Sequence, residues 1–209
     1  MHCDSVVWPR VALPYAGRSH SISELRPHKA PARDTSKSVG YCPTMTDKRP
    51  SPIRETDDIA RKLAHDLIAN ARHAALAVLD EFGAPSVTRI AFGATKNGQI
   101  LSLISDLSAH SKRLRSNPRC GLLIGEPPAK GDPLAFARMS IAAEVRFLSR
   151  GNSDHTERRA AWLKAHPKSA LYVDFGDFNF IEFTPLHADL NGGFGKAYRL
   201  TPEDLSLGI

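Results

Sequence analysis

The sequence predicts a mainly β protein with peripheral helices, arranged as an antiparallel barrel or sandwich. Apolar segments of strand length follow one another in hairpin order, and helical segments are few and lie between or outside them. The chain has 209 residues, of which 42% are hydrophobic and 24% charged, which suits a soluble globular domain with a buried core. It contains no dinucleotide-binding glycine motif after a strand and no phosphate loop, so neither usual nucleotide fold is indicated.

The first 44 residues differ in composition from the rest of the chain. Prolines interrupt them repeatedly, and no helical or strand periodicity lasts for two turns. We therefore predict a disordered leader over residues 1–44 and one domain over residues 45–209. Met45 suits a natural start, which would make the leader an upstream extension, and a transit peptide is the alternative.

Charge and cysteine content narrow the partners and the compartment. The leader holds six Lys or Arg and three Asp or Glu, so half of the formal charge of +6 belongs to it and the domain carries about +3. A charge of that size predicts no nucleic-acid partner, and no apolar run approaches the ~20 residues of a membrane-spanning helix. Cys3, Cys42 and Cys120 lack metal-ligand spacing and cannot all pair, which indicates a reducing, cytoplasmic location.

The domain begins with an amphipathic helix. Thr56 and two acids precede apolar residues at helical spacing, which are Ile59, Leu63, Leu67 and Ala71 with neighbours Ala60, Ala64 and Ile68. Three strands follow, separated by the turns "EFGAP" and "KNG". They are "AALAVLD" (74–80), "SVTRIAF" (86–92) and "QILSLIS" (99–105).

The second half of the domain contains the clearest strand. "RMSIAAEVRFL" (138–148) alternates between a core face and a second face that carries Arg138 and Ser140 near the strand start. The short apolar segment "RCGLLIG" (119–125) precedes it as another strand, with a Pro/Gly loop between the two. A helix over residues 152–166 follows, and two late strand-like segments, 177–185 and 186–200, complete the domain.

A helix entered directly from a strand is the first candidate for a binding site. Ser108 is placed to cap this helix and Pro118 to end it, and its first turn carries His110, Ser111 and Lys112 without an acidic residue. The unpaired N–H groups of a helix start favour a negative charge, so this pattern is typical of a phosphate site. A solvated helix face for Lys112, and a local polar contact for His110, are the alternatives.

Arg89 is the second candidate because it lies in the middle of a predicted strand. It is interpreted either as an arginine on a solvated strand face or as a guanidinium on a rigid element that grips a phosphate. If the strands at 86–92 and 99–105 pair, Arg89 and the start of the helix can lie at one end of the sheet.

Other candidate sites receive weaker support. The histidines show no metal-ligand spacing, so no metal site is predicted. Cys120 is interpreted as an inert buried thiol, and "NGGFG" as a tight turn that either approaches a ligand or simply joins two strands. A DNA-binding helix that uses Lys112, Arg113 and Arg115 on phosphates is a further alternative, which the low charge of the domain disfavours.

Six segments in the same order resemble the pyridoxamine-phosphate-oxidase-like FMN-binding split barrels, and most closely their haem-utilisation branch, the HugZ-type proteins with a CREG-like β-barrel. They span roughly residues 50–202. The matching segments are "ARHAALAVLD", "SVTRIAF", "LISDLSAHSKRLRSNPRCGLLIGE", "GDPLAFARMSI", "HPKSALYVDFGDFNF" and "LNGGFGKAY".

This resemblance implies a six-stranded antiparallel split β-barrel that forms a homodimer and holds FMN in the grooves between subunits. It implies an FMN-dependent oxidoreductase, or else a non-catalytic flavin- or haem-binding module, with haem or another small molecule as possible ligand or substrate. No catalytic residue is implied. The cofactor-binding residues that it implies are Arg89, Ser105, His110, Ser111, Lys112, Arg138 and Ser140.

Three departures from the family pattern argue against copying its activities. His110 stands where the oxidases have Lys, and Gly195 stands where they have a substrate-site Trp, although Arg199–Pro202 matches their Arg-Leu-x-Pro motif. We therefore do not expect vitamin B6 oxidation. Haem-utilisation relatives carry a haem-ligating His in a further C-terminal region, and this sequence ends soon after Pro202, so haem degradation is not expected either.

Overall fold

Nine strands, four α-helices and two 3₁₀ turns occur in the residues that the computed structural model describes, which are 53–95, 98–151 and 153–206. All of them lie in one compact unit, Lys48–Ile209, and the predicted leader lies outside the described residues. The strands are β1 (Ile53–Arg54), β2 (His73–Leu79), β3 (Pro85–Ala91), β4 (Gly93–Ala94), β5 (Ile100–Ser105), β6 (Arg119–Ile124), β7 (Arg138–Phe147), β8 (Phe178–Asn191) and β9 (Ala197–Leu200). The helices are α1 (Asp58–Asn70), α2 (Ala109–Ser116), α3 (Ser153–Ala165) and α4 (Pro202–Leu205), and the 3₁₀ turns are Pro133–Ala135 and Pro167–Leu171.

The predicted first helix is confirmed as α1, with its cap one residue later than expected. Asp57, not Thr56, is the N-cap, and its carboxylate accepts a hydrogen bond from the Ala60 N–H at 2.7 Å. Of the predicted stripe, Leu63, Leu67 and Ala71 pack at the edge of the core and Ile59 is 77% exposed. The helix instead fully buries the small and branched side chains next to that stripe. These side chains are Ala60, Ala64 and Ile68.

The pairing of the strands gives a barrel with one irregular seam. Antiparallel pairs connect β3, β2, β6, β7, β8 and β5 in that order. The ring closes through β4, which is separated from the end of β3 by the single residue Phe92 and pairs with β5. The predicted fold class is therefore confirmed, but the number of strands differs. Six strands have six or more residues, and the short strands β1, β4 and β9 bring the total to nine.

The barrel interior contains the main core, and β7 shows how the sequence builds it. Met139, Ile141 and Ala143 are buried, whereas Ser140 and Arg146 on the opposite face are exposed, as the alternation predicts. A second core lies outside the barrel, where α3 covers β5 and β8. Its buried members are Leu101, Leu103, Leu148, Trp162, Val173 and Phe180.

The two late strand segments are in fact one long strand, followed by β9. β8 continues through Pro185 because the ladder contains a bulge at that point. Pro185 lies opposite Ala143 and His187 opposite Ala142, so Leu186 is the extra residue between them. The prediction that two separate strands meet at Pro185 is therefore wrong. Proline has no N–H to donate to the ladder, and the strand continues because the bulge interrupts the ladder at this position.

Within the described part of the chain, no helix combines the length and apolarity that crossing a membrane requires.

Candidate functional site

The start of α2 lies where the sequence predicts it. β5 ends at Ser105, Ser108 is the N-cap residue, and the helix ends at Ser116, just before Pro118. The Ser108 hydroxyl, however, caps no backbone N–H group of the helix. It donates instead to the carbonyl oxygen of Ser105 at 2.6 Å, and so leaves the first turn of α2 without a side-chain cap.

A small hydroxyl network surrounds this helix start. The buried Ser111 hydroxyl also donates to the Ser105 carbonyl, at 2.7 Å, and lies 2.9 Å from the Ser108 hydroxyl. His110 Nε2 lies 3.0 Å from the Ser108 hydroxyl oxygen. His110, Ser108 and Ser111 thus form one connected polar group around the Ser105 carbonyl oxygen.

His110 is neutral at neutral pH in this environment. Burial disfavours the charged imidazole, and nearby Arg113 disfavours it further, so the pKa of His110 lies below its ordinary value of 6.5. Its Nε2 atom already shares a hydrogen bond with the Ser108 hydroxyl. His110 therefore adds no positive charge to the helix start, and its Nε2 atom is already in contact with Ser108.

Ser105 is joined to an acidic side chain that the sequence analysis did not single out. Its hydroxyl donates to Asp177 Oδ2 at 2.5 Å and accepts from the Leu107 N–H at 3.1 Å. Asp106, the next residue, accepts from Arg115 at 2.6 Å and from Asn179 at 2.8 Å. Two carboxylates thus lie beside the start of α2, and the Ser105 hydroxyl is engaged as both donor and acceptor.

Arg89 and Lys112 are the predicted cations whose side chains remain available. Both are exposed, and neither side chain makes a hydrogen bond or ion pair with another described residue. Arg89 belongs to β3, which among the described residues pairs with β2 and not with β5, whereas the short strand β4 that follows β3 pairs with β5. Arg89 and Ser105 thus belong to the two strands on either side of the seam, across which the Ser102 hydroxyl donates to the Ala91 carbonyl at 2.6 Å.

Arg138 and Ser140 lie elsewhere on the barrel. Ser140 lies in the same row of directly paired positions as Arg89. Three strand spacings of ~4.8 Å separate the two residues, which is about 14 Å in total. Arg138 donates to the carbonyl oxygens of Leu134 at 3.0 Å and Phe136 at 3.4 Å, and so holds the preceding loop. One copy of the chain does not bring these two residues to the start of α2.

The outer face of β2, β3 and β6 is unusually apolar for an exposed surface. Leu79, Val87 and Leu123 are 49%, 67% and 46% exposed. The row between them consists of small or apolar residues, with Ala77 paired to both Val87 and Gly121. We call this surface, with Leu79, Val87 and Leu123 at its centre, the apolar face. Arg89 and Ser140 lie on the same side of the sheet.

The sequence analysis missed Asp106 and Asp177 as members of the site. Asp106 follows the end of β5 and Asp177 precedes the start of β8, and neither belongs to a local sequence motif. The two residues come close together only because β5 pairs with β8. Their only sequence signal is an acidic residue at each of two strand ends. Within the described residues, no cluster of three metal-ligating side chains occurs.

Comparisons with known proteins agree with this fold. The pyridoxamine 5'-phosphate oxidase family model matches residues 60–191. The chloroplastic heme oxygenase HOZ of Arabidopsis thaliana is 35% identical over 116 residues, which are 56% of this chain and 34% of that protein, so the chain spans about a third of its length.

Solved structures give the same result. A heme binding protein from Mycobacterium smegmatis is 26% identical with a TM-score of 0.65, covering 72% of this chain and 61% of that one. HutZ from Vibrio cholerae, a heme storage protein, is 18% identical with a TM-score of 0.51, covering 63% of this chain and 91% of that one. At that level of identity HutZ shares the fold alone.

Proposed function

Because the chain belongs to the pyridoxamine 5'-phosphate oxidase family, we propose that two copies of it bind FMN between them and act as a flavin-dependent oxidoreductase. The observation that carries this proposal is the uncapped start of α2 with the exposed, unpartnered Lys112 in its first turn, together with the unpartnered Arg89 on β3, across the seam from β5. Exposed cations and free helix N–H groups are the donors that a ligand phosphate requires.

The predicted phosphate ligands fit in part. Arg89, Lys112 and the first-turn N–H groups of α2 would hold the phosphate. Ser105 is already bonded to Asp177, and the buried Ser111 hydroxyl to the Ser105 carbonyl. The neutral His110 would line the phosphate site without adding a positive charge to it. The phosphate grip therefore rests on two side chains instead of the five that the sequence suggested around this helix.

A homodimer is part of the proposal because one copy leaves the apolar face uncovered. Monomeric proteins rarely expose contiguous apolar surface of this kind. A second copy that covers Leu79, Val87 and Leu123 would also bring another set of polar residues, Arg138 and Ser140 among them, toward the first copy's Arg89. The ring of a flavin would then lie between apolar walls, with its phosphate at α2.

The protein's own contribution is binding and access. FMN, when bound, supplies the electron transfer, while Arg89 and Lys112 orient it through its phosphate and the apolar face excludes water. Cys120 takes no part, since burial raises the pKa of its thiol to about 12 and keeps it protonated. We propose a cytoplasmic location, in which this thiol stays reduced, and a small-molecule substrate.

Haem is the second candidate ligand. Two relatives that are 35% and 26% identical bear names that refer to haem. Haem is also planar and also carries anionic groups, so the same two cations and the same apolar face would serve it. The absorption spectrum of the purified protein separates the candidates: flavin bands support FMN, and a Soret band supports haem. A colourless protein that takes up neither on reconstitution would contradict both.

A double variant tests the phosphate site. Each charge-assisted hydrogen bond contributes roughly 1.5–3 kcal/mol, so Arg89→Ala with Lys112→Ala should weaken FMN binding by about 100-fold or more. Fluorescence titration of the apoprotein with FMN measures the change. The matched control, Arg54→Ala with Lys164→Ala, removes one exposed arginine and one exposed lysine on β1 and α3. Equal flavin affinity in both double variants would exclude the proposed phosphate site.

A further inference from the structure

We propose that the crevice between α3 and the β4–β5 hairpin binds a small monovalent anion, a halide ion or one carboxylate group, through the guanidinium of Arg158. This site lies in the layer outside the barrel and does not depend on the proposed cofactor. Its evidence is a buried cation without an adequate partner, in a cavity of the right size.

Arg158 is the buried cation. Its side chain is only 10% exposed, and its Nη1 atom is buried without a hydrogen-bond partner. Its Nη2 atom lies 3.9 Å from Asp154 Oδ2, which is beyond hydrogen-bond length, and Asp154 is itself 70% exposed. An unsatisfied buried donor costs roughly 1–3 kcal/mol, and more when it is charged, so native proteins rarely leave one without a partner.

The cavity next to Arg158 results from small side chains on both walls. Gly93, Ala94 and Thr95 form the hairpin wall, and Ala161 and Ala165 belong to the α3 wall, with Leu101 and Trp162 completing the lining. A Cβ atom at Gly93 would lie 3.4 Å from both Trp162 and His166 Nε2, so glycine lets the two walls come close.

The size of the cavity limits the ligand. The cavity has a volume of about 20 Å³, and one water molecule needs roughly 10–15 Å³ when volume is measured in the same way. One halide ion or one carboxylate oxygen fits this space, whereas a whole phosphate group does not. The exposed Ala161 lies at the mouth, so the rest of a carboxylate-bearing molecule could remain outside.

The charges around the cavity favour an anion over a water molecule. No acidic residue lines it, and the neighbouring Arg159 is already paired with Asp174 at 2.6 Å. Thr95 accepts from the Gln99 N–H at 3.1 Å, which leaves its own hydroxyl proton for a ligand. A water would satisfy the Nη1–H group only, whereas an anion also neutralises the buried charge.

Bromide is the probe that tests this site. In crystals grown with sodium bromide, an anomalous peak is expected within hydrogen-bond distance of Arg158 Nη1. In solution, the midpoint of thermal unfolding should rise with the bromide concentration at constant ionic strength, relative to Arg158→Gln in the same buffers. The rise should saturate below about 0.1 M, as expected of a ligand that binds only the native state.

Two variants complete the test. Arg158→Gln should abolish the bromide response, whereas Arg159→Gln, which removes a neighbouring cation from the same helix, should keep it. The proposal is overturned if the crystal shows a water and no bromide at Nη1. It is also overturned by a bromide peak without a saturable shift, which would indicate an adventitious ion only. If Arg158→Gln does not fold, the crystal and the titration of the natural protein still decide.

Discussion

Gly125 directly follows β6 in a backbone conformation that residues with a side chain rarely adopt. Its φ is +97°, and a Cβ atom there would lie 2.5 Å from the Ala137 carbonyl oxygen and 2.7 Å from the Arg138 Cα atom. This glycine lets the end of β6 pass close to the start of β7. The requirement is steric, and it involves backbone atoms that cannot give way as a flexible side chain could.

Replacing Gly125 should therefore destabilise the barrel. Gly125→Ala is expected to lower the free energy of unfolding by about 2 kcal/mol or more, because it combines an unfavourable φ with a backbone clash. Urea denaturation measures the difference. Gly176→Ala is the matched control, since nothing lies within 4 Å of its added Cβ, and it should stay within about 0.5 kcal/mol. Equal losses in both variants would contradict the clash.

At the same scale, the sequence predicted the residue types at the start of α2 but not their partners. Ser108 is the N-cap, yet its proton goes to Ser105 rather than to the helix. Ser105 was expected near the ligand and is bonded to Asp177, 72 positions away. A local pattern identifies a polar residue near a helix start, but only the packing decides which neighbour takes its proton. The cofactor contacts of Arg89, Ser105, His110, Ser111, Lys112, Arg138 and Ser140 remain predictions.

At the scale of elements, α3 and its extension form the layer that covers β5 and β8. His166 follows α3, stacks on Trp162 with ring centroids 4.2 Å apart, and lies 3.1 Å from the Phe92 carbonyl oxygen through Nε2. Burial lowers the pKa of His166 below 6.5, despite the opposing hydrogen bond to Phe92. His155 on α3 and His110 on α2 have pKa values lowered by burial as well.

These three histidines predict how stability depends on pH. In the unfolded chain they bind protons near pH 6.5, whereas in the folded protein they bind protons only at lower pH. Between about pH 7.5 and the lowered pKa values the unfolded state therefore binds more protons, and stability falls as the pH is lowered. Urea denaturation at about pH 7.5, 6.5 and 5.5 should show this decline.

A variant assigns part of the decline to the α3 layer. His166→Gln keeps a hydrogen-bonding side chain but cannot take up a proton, so its stability should change less over the same pH range. His187→Gln, at an exposed position of β8, serves as the control and should follow the natural protein. A decline of the same size in all three proteins would mean that His166 does not contribute to it.

At the scale of the whole molecule, the arrangement of strands separates two kinds of outer surface. Over β5 and β8 the outer face is covered by α3 and its second core. Over β2, β3 and β6 it is exposed and apolar. A barrel with one covered and one uncovered apolar side can bury the second against another copy of itself, in a closed two-fold arrangement.

A charge on the apolar face should separate the proposed dimer. Leu123→Glu puts a carboxylate where the two copies would meet, so the molar mass in solution should fall from that of two chains to that of one. Light scattering after size-exclusion chromatography measures the mass. Leu171→Glu, at a position that is 78% exposed and away from the sheet, should leave the mass unchanged. A natural protein with the mass of a single chain would contradict the homodimer directly.

Most elements could be predicted from the sequence because their signals are local. The alternation along β7, the apolar stripe of α1, and Ser108 and Pro118 around α2 each depend on residues a few positions apart. The fold class follows from their order, since consecutive short strands in hairpin order favour an antiparallel barrel. The short strand β4 and the bulge at Pro185 gave no such signal.

The sequence by itself thus determined the strands, the helices, the core faces and the family resemblance. Only the tertiary structure decided that β8 is continuous, that Ser105 meets Asp177, that β4 and not β3 pairs with β5, and that Arg158 is buried without a full partner. The physical reason is the same in each case. Hydrogen bonding, burial and charge compensation depend on residues that are distant in the chain, and their positions follow from strand register and packing rather than from local periodicity.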